Sequence, residues 1–508
     1  MSVQTGRQQP DYRGSYHFSP KANWINDPNG LVHYDGEYHL FFQYHPFGTI
    51  WGPMHWGHAV SSDLVHWEEL NIALVPDEHG AIFSGSAVVD WNNTSGFFSD
   101  GPGLVAVFTH HAETPGRPFI QHQSLAYSAD RGRTWTKYEG NPVLRSEAPA
   151  DFRDPKVFWH ADTSSWVMIL ACGQVVKLFR SPDLKNWTES SSFGDGIGCH
   201  DGVWECPDLF PLAVDGDSSR IIWVMLVSVG AQPNLAEGSR TQYFTGNFDG
   251  RTFVPDEASR QIRWLDYGRD NYAGVSWSDV PAEDGRRLYI GWMSNWHYAN
   301  QTPTEGWRGA MTIVRELTLE THGAQTVLVQ RPTRELEERR RPLLELGRSS
   351  AEELNEALDK LAPRLPDGYE VTVRVPEGVS FGVRVKEGAG AADVKSGTLI
   401  GVDAAANTLY VDRTRSGVSD FHELFAGRHT APLHDPVAES AGGALELRIF
   451  VDRSSVEVFA GDGKAAVTDL IFPRAGANGI SVSADEAEEK EGAFAVEEFR
   501  LYAIGGEA

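Results

Sequence analysis

Basic residues are scarce in this 508-residue chain: 44 Lys and Arg stand against 70 Asp and Glu, a formal net charge of −26. A nucleic-acid partner needs a basic face to neutralise phosphates, so that class is excluded and polyanionic substrates are disfavoured. Neutral polyols and sugars remain compatible. Cysteine is scarcer still. Cys172, Cys199 and Cys206 are an odd number in a large chain and lack metal-site spacing, so they read as free buried thiols and not as a disulfide framework. Long apolar runs are missing too. No window approaches the roughly 18 residues of a membrane span, and residues 1–20 lack the apolar stretch of a signal peptide. The expectation is a soluble chain without a membrane partner, cytoplasmic as given, or secreted if a leader has been removed. Oligomeric state is not legible.

The length exceeds one ordinary core, so two domains are expected. With 51 Gly and 27 Pro the chain favours tight turns and hence β structure. One turn recurs. Ser62-Asp63-Leu64-Val65-His66-Trp67, Ser128 to Trp135 and Ser181 to Trp187 share a polar turn whose Asp can bond its own backbone, followed by an aromatic that begins a strand. A fainter copy runs from Asn247 to Phe253. The aromatics fall 68, 52 and 66 residues apart (67 to 135, 135 to 187, 187 to 253), a period that suits four-stranded propeller blades. Leu31 to Tyr34 and Glu37 to Phe42 flank Asp35-Gly36, a hairpin turn matched to strand twist. A fifth unit lacks the Asp turn but has the strand runs Gly274 to Trp277 and Leu288 to Met293.

The fold expected is therefore all-β: a five-bladed β-propeller over residues 1–331, a linker with a short helix over 332–365, and a β-sandwich over 366–508. Ser350-Ala351-Glu352-Glu353 reads as a capping box ahead of Leu354, Ala357, Leu358 and Leu361 at helical spacing. Alternating runs from Tyr369 onward, such as Val371 to Val375 and Leu445 to Val451, supply the sandwich.

The phase of the repeat carries the functional argument. Asp27 precedes the first hairpin, Ser84 opens the second unit, Asp154 the third, Glu205 the fourth and Tyr272 the fifth. The first strand of each blade lines the axis, so side chains at one end of those strands converge. Two carboxylates of unlike environment are what acid-assisted glycosidic cleavage requires. Taken alone, Asp27 in Asn26-Asp27-Pro28-Asn29-Gly30 reads more readily as a turn aspartate. Glu205, between Trp204 and Cys206-Pro207, reads as a carboxyl group in an apolar setting that would keep it protonated, or as a buried structural pair. Asp154 beside Arg153 reads equally as an ion pair.

Those blocks, in order, with Phe83-Ser84-Gly85-Ser86 and Phe450 to Phe459, resemble the signatures of glycoside hydrolase family 32, the fructan hydrolases and invertases. The resemblance runs nearly end to end. It implies a propeller with a sandwich behind it, Asp27 as the nucleophile on the anomeric carbon of fructose, Glu205 as acid and base, and Asp154 holding the 3- and 4-hydroxyls. It also places Asn26, Gln43, Trp51, Phe83, Ser84, Arg153, Tyr272 and Trp292 around the fructose-binding subsite. Trp56 and Trp296 read as packing, and Asp266 equally as a turn residue or a support. His45, His55 and His58 cluster in sequence without a carboxylate geometry, so no metal and no cofactor are expected. His45 stands where many members have Asn, which leaves open the sugar in the next subsite.

The expected activity is release of terminal β-D-fructose from levan- or inulin-type fructans and from sucrose, the partner being that oligo- or polysaccharide. The segment Trp51 to Ala59 looks more like exo-acting levanases and inulinases than plant invertases. Loops around 45–60 and 230–242 are expected to set linkage and chain length. The rivals are fructosyl transfer, disaccharide release, an inverting arabinan-type mechanism, and a non-catalytic lectin-like propeller.

Overall fold

The computed structural model describes residues 11–113, 115–146, 151–232, 235–323, 325–376, 378–388, 396–433, 444–484 and 495–505. Residues 1–10 of the stretch read for a leader, 233 and 234 of the expected specificity loop, and 506–508 lie outside them. Among the described residues no helix is long and apolar enough to cross a membrane. The chain divides into two compact units, one of Phe18–Asn300 with Gly306–Glu335, the other of the residues through His17, Gln301–Glu305 and those from Leu336 on.

In the first unit the repeated turn is built as its sequence dictates. Asp63 Oδ1 accepts from the amides of Val65 (3.0 Å) and His66 (2.7 Å), Asp183 Oδ1 from those of Lys185 (3.0 Å) and Asn186 (2.8 Å). Asp249 Oδ1 accepts from Arg251 and Thr252, both at 2.8 Å, and Asp130 Oδ1 from Thr134 at 2.9 Å. The residue after each aspartate is left-handed: Leu64 at φ 62°, Arg131 at 60°, Leu184 at 65° and Gly250 at 85°. Amides satisfied by the carboxylate offset that backbone strain. Trp67, Trp135, Trp187 and Phe253 then lead into the outermost strand of their sheets.

The innermost strands are Asn23–Tyr34, Ala81–Val89, Arg153–His160, Trp204–Val214 and Tyr272–Ser276. Each touches the next, and the last returns to the first. The largest sheet is two antiparallel groups of four joined through the single parallel pair Val214↔Leu319. The ring is closed by Asn23 and Trp24, which pair in parallel with Trp307 and Arg308, and by a bridge from Val32 to Ser278. Asp35 and Gly36 both have positive φ (51° and 80°), as the two-residue hairpin turn requires.

All five inner strands lose register at the same level: between Ile25 and Pro28, Ile82 and Gly85, Arg153 and Lys156, Glu205 and Asp208, and Tyr272 and Val275. A bulge re-aims the side chains it contains, and here each one holds or adjoins a residue of the candidate site. Asp154, Cys206 and Ala273 adopt positive φ of 64°, 44° and 53° in them. Strain of this kind persists only where the surroundings over-determine it.

The second unit is a sandwich of a six-stranded and a five-stranded antiparallel sheet. Inward positions such as Val371, Val373, Leu447 and Ile449 are fully enclosed. The helix Ala351–Leu361 has the expected box: the Glu353 amide donates to Ser350 Oγ (3.2 Å) and the Ser350 amide to Glu353 Oε2 (2.9 Å). It buries Leu354 and Leu358, and Asn355 brackets the Val482 backbone with two bonds. The helix expected in a linker thus belongs to the sandwich unit. So do residues 11–17, which the reading of 1–331 assigned to the propeller. The reason is a buried ion triad inside that C-terminal signature: His17 Nδ1 lies 2.8 Å from Asp452 and Nε2 2.9 Å from Glu457.

Asp452 also accepts from the amides of Ser15 and Arg453. Against the cost of burial, the two carboxylates raise His17 from 6.5 to about 9, and His17 with these amides lowers Asp452 from 3.8 to about 2. A raised histidine stabilises below 6.5 and loses that effect as pH rises through 9; a lowered aspartate stabilises above 3.8 and loses it as pH falls through 2. His17→Gln should cost about 3–5 kcal/mol, as expected when a buried charge loses its partner. Denaturant unfolding should find the gap widest between about pH 4 and 6.5.

Candidate active site

The bulges bring three acidic side chains together. Asp27 is fixed at both oxygens: Asn26 Nδ2 donates to Oδ1 (3.0 Å) and Ser84 Oγ to Oδ2 (2.6 Å). Asn26 is itself held by Trp24 Nε1 at 2.8 Å. One sulfur spans two of the carboxylates, Cys206 Sγ lying 3.5 Å from Asp27 Oδ2 and 3.7 Å from Asp154 Oδ2. The Cys206 amide donates to Asp154 Oδ2 at 3.0 Å, and the Asp154 amide to Thr109 Oγ1 at 3.1 Å. Asp154 Oδ1 carries no hydrogen bond among the described residues. Arg153 links the rest: Nη2 donates to Glu205 Oε1 at 2.8 Å, Nε lies 3.8 Å from Asp154, and Nη1 bonds Asp151. The Tyr272 hydroxyl donates to Glu205 Oε2.

Crowding and burial set the electrostatics. Desolvation raises Asp27, and the neighbouring Glu205 charge adds to this against the Ser84 and Asn26 bonds. Asp154 is raised from 3.8 to about 7, first by desolvation and then by Glu205 and Asp27, with Arg153 opposing. Burial and the surrounding carboxylates push the Cys206 thiol far up, so it stays an uncharged spacer.

An aspartate raised in the fold favours the folded state below 3.8 and loses that contribution as pH rises through 7. Asp154→Asn should abolish most activity yet gain thermal stability over the parent, the gain growing as pH rises from about 4 to 7 and levelling off above 7. Melting curves from pH 5 to 9 check this, and a variant that melts lower throughout would contradict it.

The remaining expected residues divide into contact and support. Phe83 stacks on His111 (centroids 4.1 Å, 3° between planes), and Trp51, 41% exposed, sets its edge against Phe83 at 6.2 Å. These form an open aromatic rim. Gln43 is buried and donates to the Ile82 carbonyl. With the Asn29 amide turned to satisfy both its groups, Gln43 donates to Asn29 Oδ1 (3.1 Å) and Asn29 Nδ2 to Ser84 Oγ (3.2 Å). Gln43 thus props Asn29, which props the Ser84 that holds Asp27. Trp292 needs correcting as a sugar contact. Its ring is fully enclosed against Trp24 (5.9 Å) and Trp296 (4.8 Å), paired across the strand with Tyr272, so it backs the site and offers no open face. Trp56 is enclosed as expected and donates to the Phe83 carbonyl. Asp266 joins Arg315 (3.0 Å) and Asn271 (3.2 Å), next to Tyr272.

A second correction concerns Glu205. Trp204 turns into the core, and Glu205 instead meets two donors, Arg153 and Tyr272, in a polar and partly open seat. Arg153 is 52 residues away in sequence, so adjacent residues gave no hint of it. Cys206, Asn29, Asp151 and His111 escaped the sequence reading. The first three stand in or beside the motif blocks, and that adjacency was their signal; His111 had none.

The three histidines are engaged locally, His45 with the Ile50 carbonyl (2.8 Å), His55 with that of Pro53 (3.0 Å) and His58 with His39 (3.0 Å). Among the described residues no cluster of His, Cys, Asp and Glu could hold a metal ion.

Comparison with known proteins gives a consistent picture. The family model described as Glycosyl hydrolases family 32 N-terminal domain matches residues 17–332, and the corresponding C-terminal model matches 346–502. A levanase of Bacillus subtilis (strain 168) is 50% identical over 477 residues, covering 93% of this chain and 68% of that protein. An extracellular exo-inulinase of Aspergillus ficuum is 41% identical over 494 residues, covering 91% and 90%. The solved β-fructofuranosidase of Schwanniomyces occidentalis complexed with fructosyl-erythritol superposes with a TM-score of 0.83 at 32% identity, covering 97% and 98%.

Proposed function

We propose that this chain, which belongs to glycosyl hydrolase family 32, is a fructan and sucrose hydrolase that releases terminal fructose with net retention, through Asp27, Glu205 and Asp154. The observation that carries the assignment of residues is the meeting of the three carboxylates at one bulged level of the ring, spanned by Cys206 Sγ and by Arg153.

The chemistry follows from how each oxygen is held. Asn26 and Ser84 fix the Asp27 carboxylate so that it meets carbon 2 in one orientation, where oxocarbenium-like charge develops. Glu205, clamped by Arg153 and Tyr272, protonates the departing oxygen when substrate brings it within about 2.6–3.2 Å. The same group then deprotonates the water that breaks the fructosyl–Asp27 ester. The open Asp154 Oδ1 accepts from ring hydroxyls, an interaction that strengthens as the ring flattens toward the transition state.

Two measurements test this. Incubation with sucrose, inulin and levan should release fructose, and absence of fructose from all three would refute the activity. With methanol as acceptor, retention predicts methyl β-fructofuranoside as first product, and the α anomer would refute the double displacement.

A further inference from the structure

The catalytic carboxylates lie at the N-terminal ends of the inner strands. At the opposite ends a second cavity opens, of about 430 Å³, within the roughly 300–1,000 Å³ of small-molecule sites. Six residues separate Asp154 from His160 on this cavity's wall, about 20 Å at ~3.3 Å per residue. A small void of about 10 Å³, room for about one water, lies beside Asp154, Lys156 and Cys206. The Lys156 ammonium, bonded to the Ser276 carbonyl and 3.6 Å from Asp208, stands there. Lys156 lines both this void and the larger cavity, with the carboxylates at one end of the inner strands and the aromatic wall at the other.

The lining is aromatic and polar at once. Trp91 is 56% exposed and Trp159 37%, yet both are braced. Trp91 Nε1 donates to Asp279 Oδ1 (2.9 Å), and Trp159 meets Trp166 edge-on at 5.2 Å. Arg287 lies over Phe210 (4.8 Å) and uses Nη1 on the Trp277 carbonyl (3.1 Å) and Ser276 Oγ (3.4 Å). Its Nε and Nη2 carry no bond among the described residues. His160 bonds Thr163 through Nδ1 and leaves Nε2 open in the same sense. Lys156 and Arg287 face Asp279 and Asp162, so the charges balance. A phosphate would meet both carboxylates, and a purely apolar ligand would strand the Arg287 donors. A neutral ring with apolar C–H faces and hydroxyl edges satisfies indoles and donors together.

We propose that this cavity is a second, non-catalytic carbohydrate site that holds a fructosyl segment of the polymeric substrate; the choice of sugar rests on the function proposed above. Calorimetry of the Asp27→Asn protein with a levan-derived trisaccharide should show a binding event that the Trp91→Ala, Trp159→Ala substitutions remove and Trp159→Phe retains. In the otherwise unaltered enzyme, the two alanine substitutions should leave sucrose kcat/KM within twofold while the KM for high-molecular-weight levan rises several-fold, because two-point engagement of the chain is lost. The unchanged sucrose rate certifies the fold. Trisaccharide binding unaffected by the Trp substitutions overturns the proposal, as does equal binding of maltotriose. Wild-type enzyme that releases no fructose would instead sink the proposed function, and the binding isotherm is judged without turnover.

Discussion

Asp27→Asn is expected to lower turnover on sucrose and levan by about 10⁴-fold or more, close to 5.5 kcal/mol of transition-state stabilisation, without unfolding the protein. The expectation follows from how little else changes. The amide is isosteric, Ser84 and Asn26 remain as neighbours, and the core beneath is untouched. What disappears is the charge that stabilises carbon 2 and the oxygen that bonds to it. Initial rates under saturating sucrose, with a melting curve beside them, read both effects. Because desolvation raises Asp27 and no cation among the described residues pairs with it, the neutral side chain should not lower stability at neutral pH. Near wild-type rates from this variant would remove the role assigned to Asp27.

Glu205→Gln should cost about 10²–10⁴-fold, the usual worth of general acid–base catalysis, and the loss should depend on the leaving group. Sucrose needs a proton on its departing oxygen, so it suffers in full. An aryl β-fructofuranoside with an acidic phenol departs without help, and its first step should be nearly spared. The second step then becomes limiting, since nothing deprotonates water. Azide, which needs no base, should restore turnover and yield a β-fructosyl azide. A loss equal for both substrates, with no azide rescue, would assign Glu205 a positioning role through its Arg153 and Tyr272 bonds.

Much of this was legible in the residues because the repeat fixes phase. Four Asp turns, each with a left-handed residue after the aspartate, mark the outer edge of successive sheets. Counting from them places Asp27, Ser84, Asp154, Glu205 and Tyr272 at the same end of the inner strands. The capping box at Ser350 was equally readable, since it depends on local bonds alone. What failed was whatever depends on distant partners. Alternation along Leu288 to Met293 does not reveal that Trp24 and Trp296 enclose Trp292. The residues beside Glu205 suggested an apolar seat because Arg153 and Tyr272 arrive from other strands. Residues 11–17 looked like the start of the propeller because nothing near His17 announces Asp452 and Glu457, more than 430 positions later.

The most direct measurement is a crystal structure of the Glu205→Gln protein with a levan-derived trisaccharide bound at the bulged end of the ring. The account predicts the terminal fructosyl ring there with an Asp27 oxygen about 3–3.5 Å from carbon 2, on the face opposite the departing oxygen. It also predicts that position 205 meets that oxygen and that Asp154 Oδ1 lies on the ring hydroxyls. A terminal fructosyl unit seated with its anomeric carbon away from Asp27, or with positions 27 and 205 on the same side of the bond to be cleaved, would contradict it.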